Sequence, residues 1–136
     1  MIKPIKTKLV NIWEDSNEII HVEFLERFEV SDSDAKEYLN TAFSSVDNKS
    51  HFVLMDLRRI NYFDSLGIQH LINHDTEKYT KAVAVILDIS SPFVGSGINL
   101  LLKLKNQPFP IRVFPTEKEG IDWLLSLNEK KSTPLF

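Results

Sequence analysis

A serine at the start of a predicted helix occupies the position in this 136-residue chain that best suits regulatory modification. Ser65 follows Asp64 and precedes Leu66 and Gly67, where an apolar strand gives way to a helical pattern. The unpaired N–H groups and the helix dipole at such a position favour a phosphate by about 0.3–2 kcal/mol. Asp64 would repel that phosphate, so phosphorylation would change the surface that the serine presents. In the alternative interpretation, Ser65 only caps the helix and Gly67 only permits close packing.

His70 and His74 have the spacing at which two imidazoles on one helix can bind the same metal ion. Leu71 occupies the position at which a zinc protease carries its glutamate, Asp75 belongs to a neighbouring helix face, and the chain has no cysteine. We therefore expect no bound metal and no cofactor. The two histidines are interpreted as part of a solvated helix face.

The segment Gly95-Ser96-Gly97 resembles a phosphate-binding loop only superficially, because it lacks the required glycine spacing and lysine. Its glycines also flank Ser96 too closely for a serine hydrolase, so no enzymatic activity is predicted. Close approach of the backbone to the sheet or to a ligand is the better interpretation, and it makes Phe93, Gly95 and Gly97 the candidate pocket residues.

Two further groups of residues are given structural interpretations. One is a set of charged residues that we interpret as solvated: Arg58, Arg59, Lys103, Lys105 and Arg112. The other is a set of aromatic residues that we interpret as core: Phe93, Phe109, Phe114 and Trp123.

Composition narrows the class of protein. The net charge of −3 lacks the basic excess of a nucleic-acid-binding protein, and the absence of cysteine excludes a disulfide framework. The N-terminus lacks the apolar core of a signal peptide, and the longest apolar runs are too short to span a membrane. A single cytoplasmic domain over residues 1–136 is the expectation, with a frayed tail from about residue 130.

The apolar pattern predicts an α/β fold with the order ββαβαβαβα, in which about four helices cover a mixed sheet of about five strands. A hairpin is predicted around the turn 14–18, and continuous apolar runs predict two interior strands. Helices are expected after Ser31, Ser65, Ser91 and Thr116. The predicted strands are Leu9–Trp13, Ile19–Leu25, Phe52–Leu57, Ala82–Ile89 and Ile111–Phe114.

The segment from Phe52 to Ile68 resembles the STAS signature of anti-sigma-factor antagonists, proteins with the SpoIIAA-like fold. In that signature an apolar strand ends in Asp-Leu and, after a short connector, Asp-Ser-(Ser/Thr)-Gly-(Leu/Ile) opens a helix. The resemblance implies a non-catalytic module that docks to a protein partner. It also implies that a serine kinase, itself the anti-sigma factor, phosphorylates Ser65. Asp64, Leu66 and Gly67 would then form the docking surface around Ser65.

The chain departs from this pattern at Leu66, where the family usually has a small residue. Its second half looks more like uncharacterised bacterial STAS-like or Sec14-like proteins, for which the resemblance implies a fold and no activity. Two alternatives therefore stay open, a domain that binds a small molecule or lipid and a plain structural dimer. Self-association is predicted because the hairpin should form a sheet edge that carries Ile12, Trp13 and Ile19.

Overall fold

Six β-strands form one mixed sheet, and each begins in an apolar or alternating stretch of the sequence. The computed structural model describes residues 4–6, 10–25, 50–59, 80–88, 90 and 109–132. Its elements are β1 (Ile5–Lys6), β2 (Val10–Glu14), β3 (Ile19–Phe24), β4 (His51–Asp56), β5 (Thr80–Ile86), β6 (Ile111–Phe114) and α1 (Glu117–Ser132). The strands lie in chain order across the sheet. β1, β2 and β3 pair antiparallel, and β3 to β6 pair parallel.

The hairpin of β2 and β3 closes through a turn organised by Asp15. Its Oδ1 atom accepts hydrogen bonds from the backbone N–H groups of Asn17 (2.8 Å) and Ile19 (3.1 Å). The Glu18 N–H donates to the Asp15 carbonyl oxygen at 3.0 Å, and Glu18 adopts a left-handed φ of 63°. A type I turn followed by a left-handed residue is a common three-residue hairpin loop. The predicted hairpin is confirmed.

β4 and β5 lie in the interior of the sheet because their apolar residues can be buried on both faces. Leu54 in β4 pairs with His21 of β3 on one side and with Ala84 of β5 on the other. Beyond the strand ends, the Leu57 N–H donates to the Ile86 carbonyl oxygen at 3.0 Å. Both predicted interior strands are confirmed, although β4 begins and ends one residue early and β5 runs from Thr80 only to Ile86.

α1 packs on the sheet face that carries Leu54, Ala84 and Ile86, called here the α1 face. The pair Thr116 and Glu119 forms a capping box at its start, since Thr116 Oγ1 accepts a hydrogen bond from the Glu119 N–H (3.3 Å) and donates to Glu119 Oε2 (3.1 Å). Contact between helix and sheet forms one apolar cluster. Its fully or nearly fully buried members are Ile19, Phe52, Leu54, Ala82, Ala84, Ile86 and Leu124.

The opposite face of the sheet is also apolar and buried. Its hairpin residues Ile20, Val22 and Phe24 share that face, as their alternation in the sequence predicts. The expectation that Ile12 and Ile19 lie at an open sheet edge is wrong, because both side chains are at most 1% exposed and β1 pairs with β2 at Ile12. Self-association remains a prediction, but these two residues do not support it.

The mixed sheet and the predicted helix after Thr116 are confirmed. The sheet gains one strand over the prediction, because the short β1 pairs with residues 11 and 12 of β2. The helices predicted after Ser31, Ser65 and Ser91 lie outside the described residues. Within the described part of the chain, no helix is long and apolar enough to cross a membrane.

Candidate functional site

The four parallel strands end at one edge of the sheet, called here the carboxyl edge. The register places four residues in one row on the α1 face, at or next to the last residue of each strand: Glu23, Asp56, Ile86 and Phe114. Ligands and partners of open α/β sheets commonly bind outside the carboxyl ends of the strands. Two of these four positions hold carboxylates, so this edge is the candidate site.

Asp56 fixes the connector that leaves β4. Its carboxylate accepts three hydrogen bonds from Arg58, from the backbone N (3.0 Å), from Nε (2.9 Å) and from Nη2 (2.7 Å). The two side-chain bonds form the planar fork that guanidinium and carboxylate groups favour. Hydrogen bonding to Asp56 raises the pKa of Arg58, with smaller contributions from the charges of Asp56, Glu117 and Glu23. Arg58 is therefore a fixed cation among carboxylates.

Asp88 organises the connector after β5 in a similar way. Its Oδ1 accepts hydrogen bonds from the backbone N (3.0 Å) and Oγ (2.6 Å) of Ser90. The side-chain hydrogen bond from Ser90 is the main reason that the pKa of Asp88 is lowered, followed by the backbone bond, and the Arg58 charge also contributes. The same local hydrogen bond thus occurs at Asp15, Asp56 and Asp88. In each case the carboxylate accepts a hydrogen bond from the backbone N–H two residues later, as in an Asx-turn.

A buried histidine lies on the α1 face between the hairpin turn and this edge. His21 Nε2 is 2.8 Å from Asp15 Oδ2, and Nδ1 is 3.4 Å from Glu117 Oε1. Trp13 stacks on the imidazole with a ring separation of 4.9 Å and an interplanar angle of 12°. The His21 side chain is only 6% exposed, and among the described residues no group forms a hydrogen bond with Nδ1. The cluster therefore joins the hairpin turn, β3 and the first residue of α1.

This cluster was not predicted from the sequence. A histidine in the apolar strand Ile19–Phe24 was the available signal, because alternation places it on the same face as the polar Glu23. Asn11 Nδ2 donates to Glu23 Oε1 at 3.2 Å, which completes a polar strip along β2 and β3. Glu117 could not be assigned from sequence, since it reaches His21 only after α1 folds back over the sheet.

Two described members of the predicted basic group, Arg58 and Arg112, have separate partners. Arg58 pairs with Asp56, whereas the Arg112 guanidinium lies 5.3 Å from the Phe114 ring centre and 5.9 Å from that of Trp123. Phe114 and Trp123 pack on each other at 5.6 Å and against the core cluster, in agreement with the prediction that they are core residues. In the described segments, no three histidine, aspartate or glutamate side chains are grouped to hold a metal ion.

Comparison with known proteins adds a family and a fold. The model of the family described as "Domain of unknown function (DUF7793)" matches residues 12–128. The chain belongs to the DUF7793 family. No curated protein matches this DUF7793 chain in sequence. Its structure is similar to the crystal structure of an uncharacterized protein from the DUF3478 family of Shewanella loihica PV-4, which has a SpoIIAA-like fold.

That structural similarity has a TM-score of 0.59 at 13% sequence identity, and it covers 88% of the DUF7793 chain and 98% of the Shewanella protein. At this identity the similarity shows the SpoIIAA-like fold alone. The predicted fold superfamily is thereby supported, while the phosphorylation and pocket residues are untested. Those residues (Asp64, Ser65, Leu66, Gly67, Phe93, Gly95, Gly97) lie outside the described residues, as do His70 and His74.

Proposed function

We propose that this chain is a non-catalytic interaction module of the anti-sigma-antagonist kind, which docks to a cytoplasmic protein partner through its carboxyl edge. Phosphorylation of Ser65 by a serine kinase, which could be that partner, would release the complex. The observation that carries the proposal is the Asp56–Arg58 fork, because it fixes the first residues after β4, and the Asp64-Ser65 motif follows them in the sequence.

The position of the motif in the chain supports this proposal. Ser65 follows Arg59, the last described residue of this segment, by only six positions in the sequence. The SpoIIAA-like fold of the Shewanella protein makes an antagonist-type docking surface a reasonable model for this edge. Fold alone does not establish function, so the proposal depends on the motif and the connector together.

The state of the carboxylates favours docking over acid–base catalysis. Arg58 holds Asp56, Ser90 holds Asp88, and Asn11 donates to Glu23. Carboxylates that neighbouring residues hold in this way form a fixed, largely acidic surface. A phosphate dianion added at Ser65 would meet like charges and would have to be desolvated in an interface, and both effects weaken binding.

The test compares the wild type with Ser65→Ala, Ser65→Asp and the control Ser16→Asp. Ser16 is an exposed residue of the hairpin turn, at the opposite edge of the sheet. A partner captured from the native cytoplasm is purified, and its affinity for each variant is measured by titration calorimetry. We expect Ser65→Ala to retain binding and to lose phosphate incorporation. We expect Ser65→Asp to lose at least tenfold in affinity, whereas Ser16→Asp binds like the wild type.

Wild-type affinity in Ser65→Asp would refute the switch, and so would undiminished phosphate incorporation in Ser65→Ala. Unfolding by denaturant provides the control for folding, because aspartate is also a good N-cap and should preserve the helix start. Equal affinity losses in Ser65→Asp and Ser16→Asp would mean that added charge acts without regard to position, which also contradicts the proposal.

A further inference from the structure

Strand β6 lies at one end of the described sheet and bonds to β5 through every second residue. The Val83 N–H donates to the Pro110 carbonyl oxygen at 3.0 Å. The Leu87 N–H donates to the Phe114 carbonyl oxygen at 3.1 Å. In a parallel pair with this register, residues 110, 112 and 114 of the chain bond to β5. The residues between them turn their backbone N–H and C=O groups away from β5.

These outward groups belong to Ile111 and Val113, and the row they form is called here the β6 edge. Among the described residues, no strand pairs with β6 on this side. Pro110 and Pro115 bracket the strand and have no N–H group, so Ile111 and Val113 supply its outward donors. The β6 edge is therefore too short for extended sheet growth, but it can pair with a short segment of another chain.

Arg112 lies between these two residues, and its side chain is on the α1 face because its partner in β5 is Ala84. Its guanidinium is 5.3 Å from the Phe114 ring centre and 5.9 Å from the Trp123 ring centre, within the range of cation–π contacts. Arg112 is exposed, and within the described segments no carboxylate forms an ion pair with it. A positioned cation without an acidic partner thus lies beside the outward backbone groups.

A second copy of the chain fits the β6 edge poorly. If two copies of β6 paired antiparallel, so that Ile111 and Val113 of each formed hydrogen bonds, the two Arg112 residues would lie directly opposite each other. The Cα atoms of such a pair are about 4.5 Å apart, and like charges in directly opposed positions are destabilising. The same geometry favours a carboxylate opposite Arg112. The β6 edge therefore selects a strand by the charge of one residue.

The other face of β6 favours particular neighbours of that acidic residue. Ile111 and Val113 alternate with Arg112, so their half-buried side chains lie on the face away from α1. In an added strand, the residues on either side of the acidic one also point to that face. Apolar side chains at these two positions would cover Ile111 and Val113, as cross-strand neighbours do within a sheet.

We propose that the β6 edge binds an extended segment of a partner protein, which adds an antiparallel strand with an acidic residue opposite Arg112 and an apolar residue on either side of it. Backbone hydrogen bonds with Ile111 and Val113 hold the segment, and the charge of Arg112 selects it. This is recognition by strand addition. It does not depend on the docking function assigned to the carboxyl edge.

The test follows the backbone amide signals of Ile111 and Val113 by NMR of the full ¹⁵N-labelled chain. The probes are two peptides with blocked ends, Thr-Val-Glu-Val-Thr and Thr-Val-Lys-Val-Thr, added at millimolar concentration. We expect the glutamate peptide to shift both signals and to bind at least about threefold more tightly than the lysine peptide, because it exchanges an unfavourable cross-strand charge pair for a favourable one. The glutamate peptide with N-methylated valines lacks the N–H groups that face Ile111 and Val113 and should not bind.

Two variants test the role of Arg112. Arg112→Glu should reverse the preference, so that the lysine peptide binds more tightly. Lys118→Glu is the matched control, because it replaces an exposed cation of α1 by the same residue, and it should keep the preference for the glutamate peptide. Urea titration establishes that both variants are folded, and the comparison of peptides on the wild type is independent of them.

Several results would overturn the proposal. These are unchanged amide signals with the glutamate peptide, equal affinities of the two unmethylated peptides for the wild type, or an unchanged preference in Arg112→Glu. Protection of the Ile111 and Val113 amides from hydrogen exchange in the free protein would show that the β6 edge is already paired. Signals that shift with protein concentration alone would show that a second copy occupies it. Both outcomes also contradict the proposal. No arm involves Ser65, so failure here leaves the docking proposal unaffected.

Discussion

At Gly120 the helix α1 approaches the sheet closely, and replacing this residue with alanine tests how tightly the two pack. An added Cβ would lie 2.9 Å from Ile86 Cδ1, 3.0 Å from Leu54 Cδ1 and 3.3 Å from Ala84 Cβ. Ile86 and Leu54 are at most 1% exposed, so their side chains have little space in which to move.

Two opposing effects determine the result of Gly120→Ala. Alanine favours a helix over glycine by about 1 kcal/mol. Overpacking of a close-packed core costs about 1–3 kcal/mol. The sum predicts a destabilisation of about 0–2 kcal/mol, and a loss of 1 kcal/mol would lower the melting temperature of a domain of this size by about 4 °C.

A double-mutant cycle with Ile86→Val separates these effects, because valine lacks the Cδ1 atom that would contact the new methyl group. Ile86→Val alone should cost about 0.5–1.5 kcal/mol. In that background we expect Gly120→Ala to be less destabilising than in the wild type, and the difference is the coupling energy between contacting residues. Free energies of unfolding from urea titration provide all four values. Stabilisation of the wild-type background by the full 1 kcal/mol, with no coupling, would refute the close packing described here.

Two further predictions concern the polar turns. Glu18→Gly should stabilise the protein by about 0.5–1 kcal/mol, because Glu18 has a φ of 63° and left-handed backbone costs a non-glycine residue about 1–2 kcal/mol. Ser16→Gly in the same turn is the control and should not stabilise; equal gains in both variants would contradict this explanation. Ser90→Ala should move the pKa of Asp88 up toward its ordinary value, since the Ser90 side-chain bond is the main cause of its lowering. A group with a lowered pKa contributes stability that is lost as the pH falls through its folded-state value, so any contribution of Asp88 disappears only in acid, below about pH 4. Carboxyl NMR titration of both proteins measures this, and an unchanged Asp88 titration in Ser90→Ala would show that the assigned hydrogen bond is not its cause.

The parallel strands were predictable from the sequence. The runs around Leu54 and Ala84 are apolar at almost every position, and such runs require burial on both faces of a sheet. The hairpin and the helix after Thr116 were equally readable, because turn and capping residues act within a few positions of one another. Strand ends were less accurate, since pairing with neighbouring strands determines where hydrogen bonding stops.

The candidate site was only partly readable. The Asp-Leu ending of β4 was recognised as part of the motif, and the structure places its Asp56 at the carboxyl edge, where it pairs with Arg58. The pairing of His21 with Glu117 was not predicted, because 95 residues separate the two in the sequence. Their side chains meet only after the sheet and α1 have assembled.

The sequence by itself determined the elements whose causes are local: the apolar strands, the turn at Asp15 and the cap at Thr116. Tertiary structure alone decided which charges meet, because ion pairs between distant residues depend on the register of β3 with β4 and on the position of α1 over the sheet. It also decided that Ile12 and Ile19 are core residues and not edge residues. Alternation shows that a residue faces one side of a strand, and only the packed sheet shows what covers that side.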